Sequence, residues 1–596
     1  RGGVFWFSCS VGTLGRRSFR SGQLFPGRYG RPLKRRSSRT ARWGIAATAA
    51  AAATASAMCV PATAAQVVVG QVATAHSGAM AAGATSGFEG DKWGNATTDA
   101  LSKDAYGKNQ AEKDPGSLFT VEKAIGARGL WAKRDKSGRQ LTGQGVSIAL
   151  LDSGVTQVAG LDGAGKVTYG PDLSIEANGV LNQPDSFGHG TFMAGIIAGR
   201  GAANPSSDLP KAPANIQLGV APDAEILAVK LATADGSTDV SQVIAALDWV
   251  TQHPVLPDGT RVRVINLSYG TNSAQDYLAD PLAAAAENAW QHGIVVVTSA
   301  GNNGADNGRL SDPAIDPYVI AVGATDSKDR RDGWTRDHTT TASFSEVGSA
   351  TRHVDLVAPG TSLVSARAPG SFIDVNNPSC LIAGDASGTL FRGSGTSQAA
   401  AVVSGSVALL LQAYPNLTPD QVKYALTYGI GVVTNSSSIA AGAGTLNLGK
   451  ALDTASHLSG TDNTATTLRA AAVQSFPYST GRGSIDAARG GSVLVDSAGN
   501  DLSGEVDVQG NTWDPATWWQ ATSTLSSWSG GQWLGATWTG DDWAATSGGL
   551  SSSRWSSSRW SSSRWSTADW SSSRWSSSRW SSSRWSSSRW SDSTWS

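Results

Sequence analysis

The chain has 596 residues, more than one ordinary core holds, with 40% hydrophobic and 16% charged residues, 69 Gly and 23 Trp. That composition excludes a coiled coil and a wholly disordered chain, and the lack of a Gly-X-Y period excludes a collagen. The zero formal charge is a cancellation: residues 1–42 hold eleven Lys/Arg and no acid, 551–596 hold seven Arg and two Asp, and 43–550 hold 29 bases against 45 acids, so the acidic middle is a poor partner for nucleic acid or an anionic membrane.

Residues 1–65 read as an export signal. A basic stretch with Arg16-Arg17-Ser18-Phe19-Arg20 precedes an Ala-rich run that ends Pro61-Ala62-Thr63-Ala64-Ala65, which supplies a positive n-region, an apolar h-region and an Ala-x-Ala cleavage site. Cleavage is expected near Ala64 and the product outside the cell or at its surface. No transmembrane anchor is expected, because the Ala-rich run is too weakly apolar and no other run of about 18 apolar residues exists. Of three cysteines, Cys9 and Cys59 lie in this leader, so a processed chain keeps Cys380 alone, without an internal disulfide and expected as a small buried residue. Residues 66–115, rich in Gly, Ala, Thr, Asp and Lys, read as a linker or short propeptide.

From 116 to 455 the texture changes. Short β-branched runs at 146–151, 226–231, 262–267, 294–298, 319–322 and 355–357 alternate with helical patterns at 240–252, 281–292 and 399–413. Runs apolar on both faces that alternate with helices predict an α/β domain, a parallel sheet with helices on both faces. Thr418-Pro419-Asp420-Gln421 predicts a further helix start, with Thr and Gln forming a capping box and Pro in the first turn. Residues 456–510, Gly/Ser/Thr-rich, read as a second linker. In the 511–596 tail Trp stands at 513, 518, 528, 533, 538 and 543, then at every fifth residue from 555 to 595 in the unit Ser-Ser-Ser-Arg-Trp. A five-residue step turns a helix by about 140° and alternates faces along a strand, so no Trp stripe and no core are expected there.

Three glycine-marked junctions carry chemistry. Residues 146–151 run into Asp152-Ser153-Gly154, a carboxylate at the carboxyl end of a buried strand, where sites form in parallel sheets. Gly188-His189-Gly190-Thr191 opens a small-residue helix with an imidazole, and its spacing does not fit a His-Glu-x-x-His zinc site. Gly393-Ser394-Gly395-Thr396-Ser397-Gln398-Ala399 exposes a hydroxyl at a helix start, whose positive end favours an oxyanion; with Ala at 399 it is not the Gly-x-Ser-x-Gly elbow.

Asp, His and Ser in this order, in these three blocks, resemble the subtilisin-like serine proteases (subtilases) over about residues 116–455. The resemblance implies a subtilisin-like fold and a secreted serine endopeptidase with Asp152, His189 and Ser397 as the catalytic residues. Ser299-Ala300-Gly301-Asn302 resembles the family's oxyanion segment, implying Asn302 as donor beside the Ser397 N–H; such a donor is worth about 3 kcal/mol. Asn266-Leu267-Ser268-Tyr269-Gly270 is similar to the family's edge segment, implying that Ser268, Tyr269 and Gly270 line the first specificity pocket opposite Ser299, Ala300 and Gly301. Polypeptide substrates would bind there as an added strand. The chemistry needs no cofactor; structural calcium is common in the family, but no metal residue can be assigned. Two positions depart from the family pattern. Gln398 stands in place of the usual Met, implying oxidation tolerance, and Ala401 stands in place of Pro. The tail keeps two readings open, attachment to cell-wall polysaccharide through Trp and Arg and low-complexity expansion without a ligand. The alternative function is a cell-surface adhesion or structural protein with an inert protease domain and a working tail.

Overall fold

Strand β1 (Ser147–Asp152) carries no exposed side chain along its whole length, as a strand covered on both faces must. Around it lie β2 (Val167–Asp172), β3 (Glu225–Lys230), β4 (Val262–Leu267), β5 (Val295–Ser299), β6 (Ile320–Ser327), β7 (Thr339–Thr341) and β8 (Leu356–Pro359). They form one eight-stranded sheet in the order β2-β3-β1-β4-β5-β6-β7, with β8 paired to β6. All pairings are parallel except the β6–β7 edge. This is a computed structural model, and it describes residues 106–177, 183–201, 208–327, 339–430, 436–491, 494–496, 501–538 and 550–551, all within the compact unit Trp93–Ser596. The expected leader 1–65, most of 66–115 and nearly all of the Ser-Ser-Ser-Arg-Trp repeat lie outside the described residues.

Five helices matter most here: α1 (His189–Ala198), α2 (Val240–Gln252), α3 (Pro281–Gln291), α4 (Thr396–Ala413) and α5 (Pro419–Thr427). Helices α1 and α4 pack on each other and on the sheet, and α2 and α3 form a second such pair, so the sheet is clothed on both faces as expected. Helix α4 is long and apolar enough to cross a membrane by length and composition, but all of it is buried inside the protein; it is the central core helix. The expected capping box at α5 is present: Thr418 Oγ1 accepts from the Gln421 N–H at 3.3 Å, and Gln421 Oε1 accepts from the Thr418 N–H at 3.1 Å. The chain leaves β1 toward β2 and β3 on one side and continues to β4, β5 and β6 on the other. That reversal opens a crevice at the carboxyl ends of β1 and β4.

Three expectations need correction. First, residues 106–115 do not read as loose linker: helix Lys108–Lys113 leads into Asp114, whose carboxylate binds Arg392. Second, 456–510 is not a linker. Helices Leu448–Leu458 and Asn463–Ala472 pack together, and Ile485–Arg489 packs against α2 and α3. Arg489 is fully buried and paired at 2.7 Å with Asp239, the N-cap of α2. Third, five of the tail's first six Trp do form a core. Trp513, Trp518, Trp528, Trp533 and Trp538 are all buried.

The reason is turn geometry. Trp528–Ser529, Gln532–Trp533 and Ala536–Thr537 are antiparallel strands of two residues each. Gly530-Gly531 and Leu534-Gly535 join them, with φ of 57°, 83°, 52° and 83°, the positive values that a two-residue type I′ turn requires. Such a turn makes residues five apart cross-strand partners, and Trp528 does face Trp533. Trp538 then lands on the same face by its N–H bond to the Gly531 carbonyl. That face sits on α2. The Trp528 indole donates to the Ala245 carbonyl at 2.8 Å, while the Trp518 and Trp533 indoles and the Thr522 hydroxyl all donate to Asp248 Oδ2 at 2.7–3.1 Å. Burial pushes the Asp248 carboxyl up to about 6 against the pull of those donors.

Candidate active site

Asp152 ends β1 with its carboxylate buried beneath the start of α1. His189, the first residue of α1, brings Nδ1 to 2.9 and 3.0 Å from the two carboxylate oxygens. The glycines on either side of His189 are needed for this approach. Gly188 has φ of 107° and its α-carbon faces the Ser371 side chain, and a Cβ on Gly190 would collide with the Gly154 carbonyl beside Asp152. Burial raises the Asp152 carboxyl above the usual range, opposed by His189 and by the Ser153 N–H and hydroxyl.

Asp185 holds the same junction and was missed from sequence. Its Oδ1 accepts from the Gly188 N–H at 2.6 Å and the Ser153 hydroxyl at 2.8 Å, and its Oδ2 from the Thr191 N–H at 2.7 Å. Ser153 Oγ in turn accepts from the Gly190 N–H at 3.0 Å. Since the N-cap Gly188 has no side chain, Asp185 satisfies the orphan donors of the first turn from outside it. An Asp three residues before the Gly-His-Gly junction was the available signal.

Ser397 sits in the first turn of α4. Its hydroxyl donates to the Ser268 carbonyl at 3.3 Å, and the Ser268 hydroxyl donates to the Ser397 carbonyl at 3.2 Å. Asn302 follows the end of β5. Its Oδ1 accepts from the Thr396 N–H at 2.8 Å and the Thr396 hydroxyl at 2.9 Å, which fixes the amide with Nδ2 as its donating end. Asp152, His189, Ser397 and Asn302 thus stand at one edge of the sheet, carried by β1, α1, α4 and the β5 end, with α1 packed on α4.

Ser268, Tyr269 and Gly270 leave β4 at this same edge, and Ser299, Ala300 and Gly301 leave β5 beside them. The Tyr269 side chain is buried in the main core, so only its backbone can serve an extended ligand. Gln398 is fully buried, and neither atom of its amide has a hydrogen-bond partner. Ala401 lies inside α4, also buried. Cys380 is a free, buried thiol, pushed up to about 12 by that burial. Among the described residues no group of three or more His, Cys, Asp or Glu is placed to hold a metal ion, so the structural calcium common in the family finds no such carboxylate site among them.

A family model described as the subtilase family matches residues 143–444. The chain belongs to the subtilase family. Serine protease AprX of Bacillus subtilis (strain 168) is 32% identical over 317 residues, 52% of this chain and 67% of that protein. Subtilisin Savinase of Lederbergia lenta is 33% identical over 285 residues, 48% of this chain and 83% of that one. The extracellular serine proteinase of Thermus sp. (strain Rt41A) is 36% identical over 287 residues, 48% of this chain and 55% of its own length. As a subtilase the protein is a serine-type endopeptidase that acts on polypeptides and needs no cofactor for its chemistry. The Trp-faced hairpins and the helices after 444 lie outside the matched segment.

Proposed function

We propose that this subtilase is exported and cleaves peptide bonds through Asp152, His189 and Ser397, with Asn302 and the Ser397 N–H receiving the oxyanion. The observation that carries the reading is the His189 Nδ1 contact with Asp152 at 2.9 Å, at the edge where α4 begins. Asp152 holds the ring in the tautomer whose proton is on Nδ1, leaving Nε2 as the base. Nε2 takes the Ser397 proton as Oγ attacks the peptide carbonyl carbon. The tetrahedral intermediate expels the amine, which leaves with the proton from His189, and water hydrolyses the acyl-enzyme by the same route in reverse. The two donors at the helix start match the charge that grows on the carbonyl oxygen. Substrate adds as a strand beside Ser268–Gly270 and Ser299–Gly301, which offer backbone groups.

Export rests on the basic and Ala-rich residues 1–65 and on a relative named as extracellular. For the Ser-Ser-Ser-Arg-Trp repeat, the chemistry of exposed indole and guanidinium fits cell-wall polysaccharide as partner. The deciding experiment is labelling with a fluorophosphonate probe. Wild type should be labelled and should hydrolyse casein, and Ser397→Ala should do neither. A folded wild-type protein that takes no label overturns the triad assignment. Removal of residues 552–596 should abolish retention on cell walls with the hydrolysis rate unchanged.

A further inference from the structure

A short helix, Phe372–Asn376, is fastened to the residues that precede His189. The Phe372 N–H donates to the Ser186 carbonyl and the Ile373 N–H to the Phe187 carbonyl, each at 2.9 Å. Its N-cap, Ser371, closes over Gly188, where a Cβ would lie 2.4 Å from Ser371 Oγ and 3.3 Å from Ile373 Cβ. Arg367 holds the helix from behind: its Nε and Nη2 donate to the two Asp374 carboxylate oxygens at 2.6 and 2.9 Å, and the Gly370 N–H donates to the same carboxylate at 2.8 Å. Ile373 and Asp374 face inward and are buried. Phe372 and Val375 are spaced to share one helix face, and they are 44% and 66% exposed. The buried Phe187 ring lies against Phe372 with centroids 6.0 Å apart, so the exposed ring rests on a fixed aromatic partner.

We propose that Phe372 and Val375 bind the departing half of the substrate, so that this endopeptidase favours a large apolar side chain within the three residues after the scissile bond. The inference rests on the triad reading and names a specificity determinant of that site. His189 gives its proton to the leaving amine, so the residues after the scissile bond emerge on the His189 side. The residues before it run along Ser268–Gly270 and Ser299–Gly301, at the ends of β4 and β5. The helix 372–376 stands on the His189 side, packed on Gly188, and its uncovered face is an aromatic ring beside a branched alkyl group. Three extended residues reach about 10 Å, enough to bring a side chain from the bond to this face. An apolar side chain laid there takes both surfaces out of water, whereas a carboxylate would lose solvation without gaining a partner. Asp374 and Arg367 are paired with each other, so neither offers a free charge to an ionic side chain.

Internally quenched peptides with one fixed sequence before the scissile bond, carrying Phe, Leu, Ser, Gly or Glu at each of the three following positions in turn, decide the matter. A p-nitroanilide of the same leading sequence has no residue after the bond and gives the reference rate. At one of the positions or more, wild type should cleave the Phe or Leu peptide with kcat/KM at least ~10-fold above its Ser and Glu counterparts. In the double variant Phe372→Ser, Val375→Ser that ratio should fall to within ~2-fold of unity once each rate is divided by the reference. If the double variant failed to fold, and so took no fluorophosphonate label, the wild-type ratio and the single Val375→Ser variant, which should lose part of the preference, would still decide. A wild-type enzyme indifferent to these residues, or a folded variant that keeps the whole apolar preference, overturns the inference and leaves the serine-protease reading standing. Absence in wild type of the label and of turnover with every substrate overturns both.

Discussion

Replacing Gln398 with methionine tests the chemistry next to the nucleophile. The Gln398 side chain is fully buried, and both its amide nitrogen and oxygen lack a partner. An unsatisfied buried donor or acceptor costs about 1–3 kcal/mol. Methionine has nearly the same length and volume and no strong hydrogen-bonding atom, so Gln398→Met removes the penalty without leaving a cavity. The expected gain is about 2 kcal/mol, which in a domain of this size raises the midpoint by roughly 2–5 °C. Both proteins should be unfolded in urea and by heat after inactivation at Ser397, so that self-digestion does not shorten the curve. The cost should appear in hydrogen peroxide: wild type keeps its activity, whereas the Met variant loses it as the thioether becomes a polar sulfoxide beside the nucleophile. A Met variant no more stable than wild type would refute the reasoning, because it would mean that the amide is satisfied in solution.

Three further outcomes follow from the C-terminal segment. The Asp248 carboxyl is raised in the folded protein to about 6, above its unfolded value, so the folded state holds that proton more tightly; its contribution to stability is fullest below the unfolded value and falls as pH rises through 6. Asp248→Asn should flatten this decline between pH 4 and 6 in urea titrations followed by Trp fluorescence, and an unchanged slope would sink it. Leu534 holds φ of 52° while 38% exposed, so Leu534→Asn should stabilise the hairpin by about 1 kcal/mol in thermal melts, since Asn accepts that conformation more readily and little packing is lost. Finally, deletion of 511–596 should give an insoluble or destabilised enzyme while deletion of 552–596 leaves the melting midpoint within a degree or two, because only the first strips Trp518, Trp528 and Trp533 from α2 and leaves Asp248 without its donors.

The parts of this fold that local pattern encodes were legible. The run 262–267 is β4 at those bounds and 240–252 is α2, because a two-sided apolar strand and a capped amphipathic helix each declare themselves within a dozen residues. The junctions at 152, 189 and 397 were legible because glycine marks close approach, and Gly190 under the Gly154 carbonyl shows why. What stayed hidden was assembled from distant pieces. Asp185 acts through three hydrogen bonds to Ser153, Gly188 and Thr191, and its place three residues before Gly188 hints at that role without showing the partner Ser153, which lies 32 residues away. The core of the first tail tryptophans is hidden because their period fits neither an unbroken helix nor an unbroken strand, but a chain reversed by two-residue turns at 530–531 and 534–535.

That reversal makes the C-terminal hairpins tolerant of some length changes and intolerant of others. Duplicating the five residues from Trp528 to Gln532 would add one more rung with its indole directed at the enzyme body. Inserting a single residue between Trp528 and Trp533 would swing one indole into water and loosen the lining under α2. A segment built this way can grow by whole units without losing phase, so its length is free to drift while its seat on the protease stays the same.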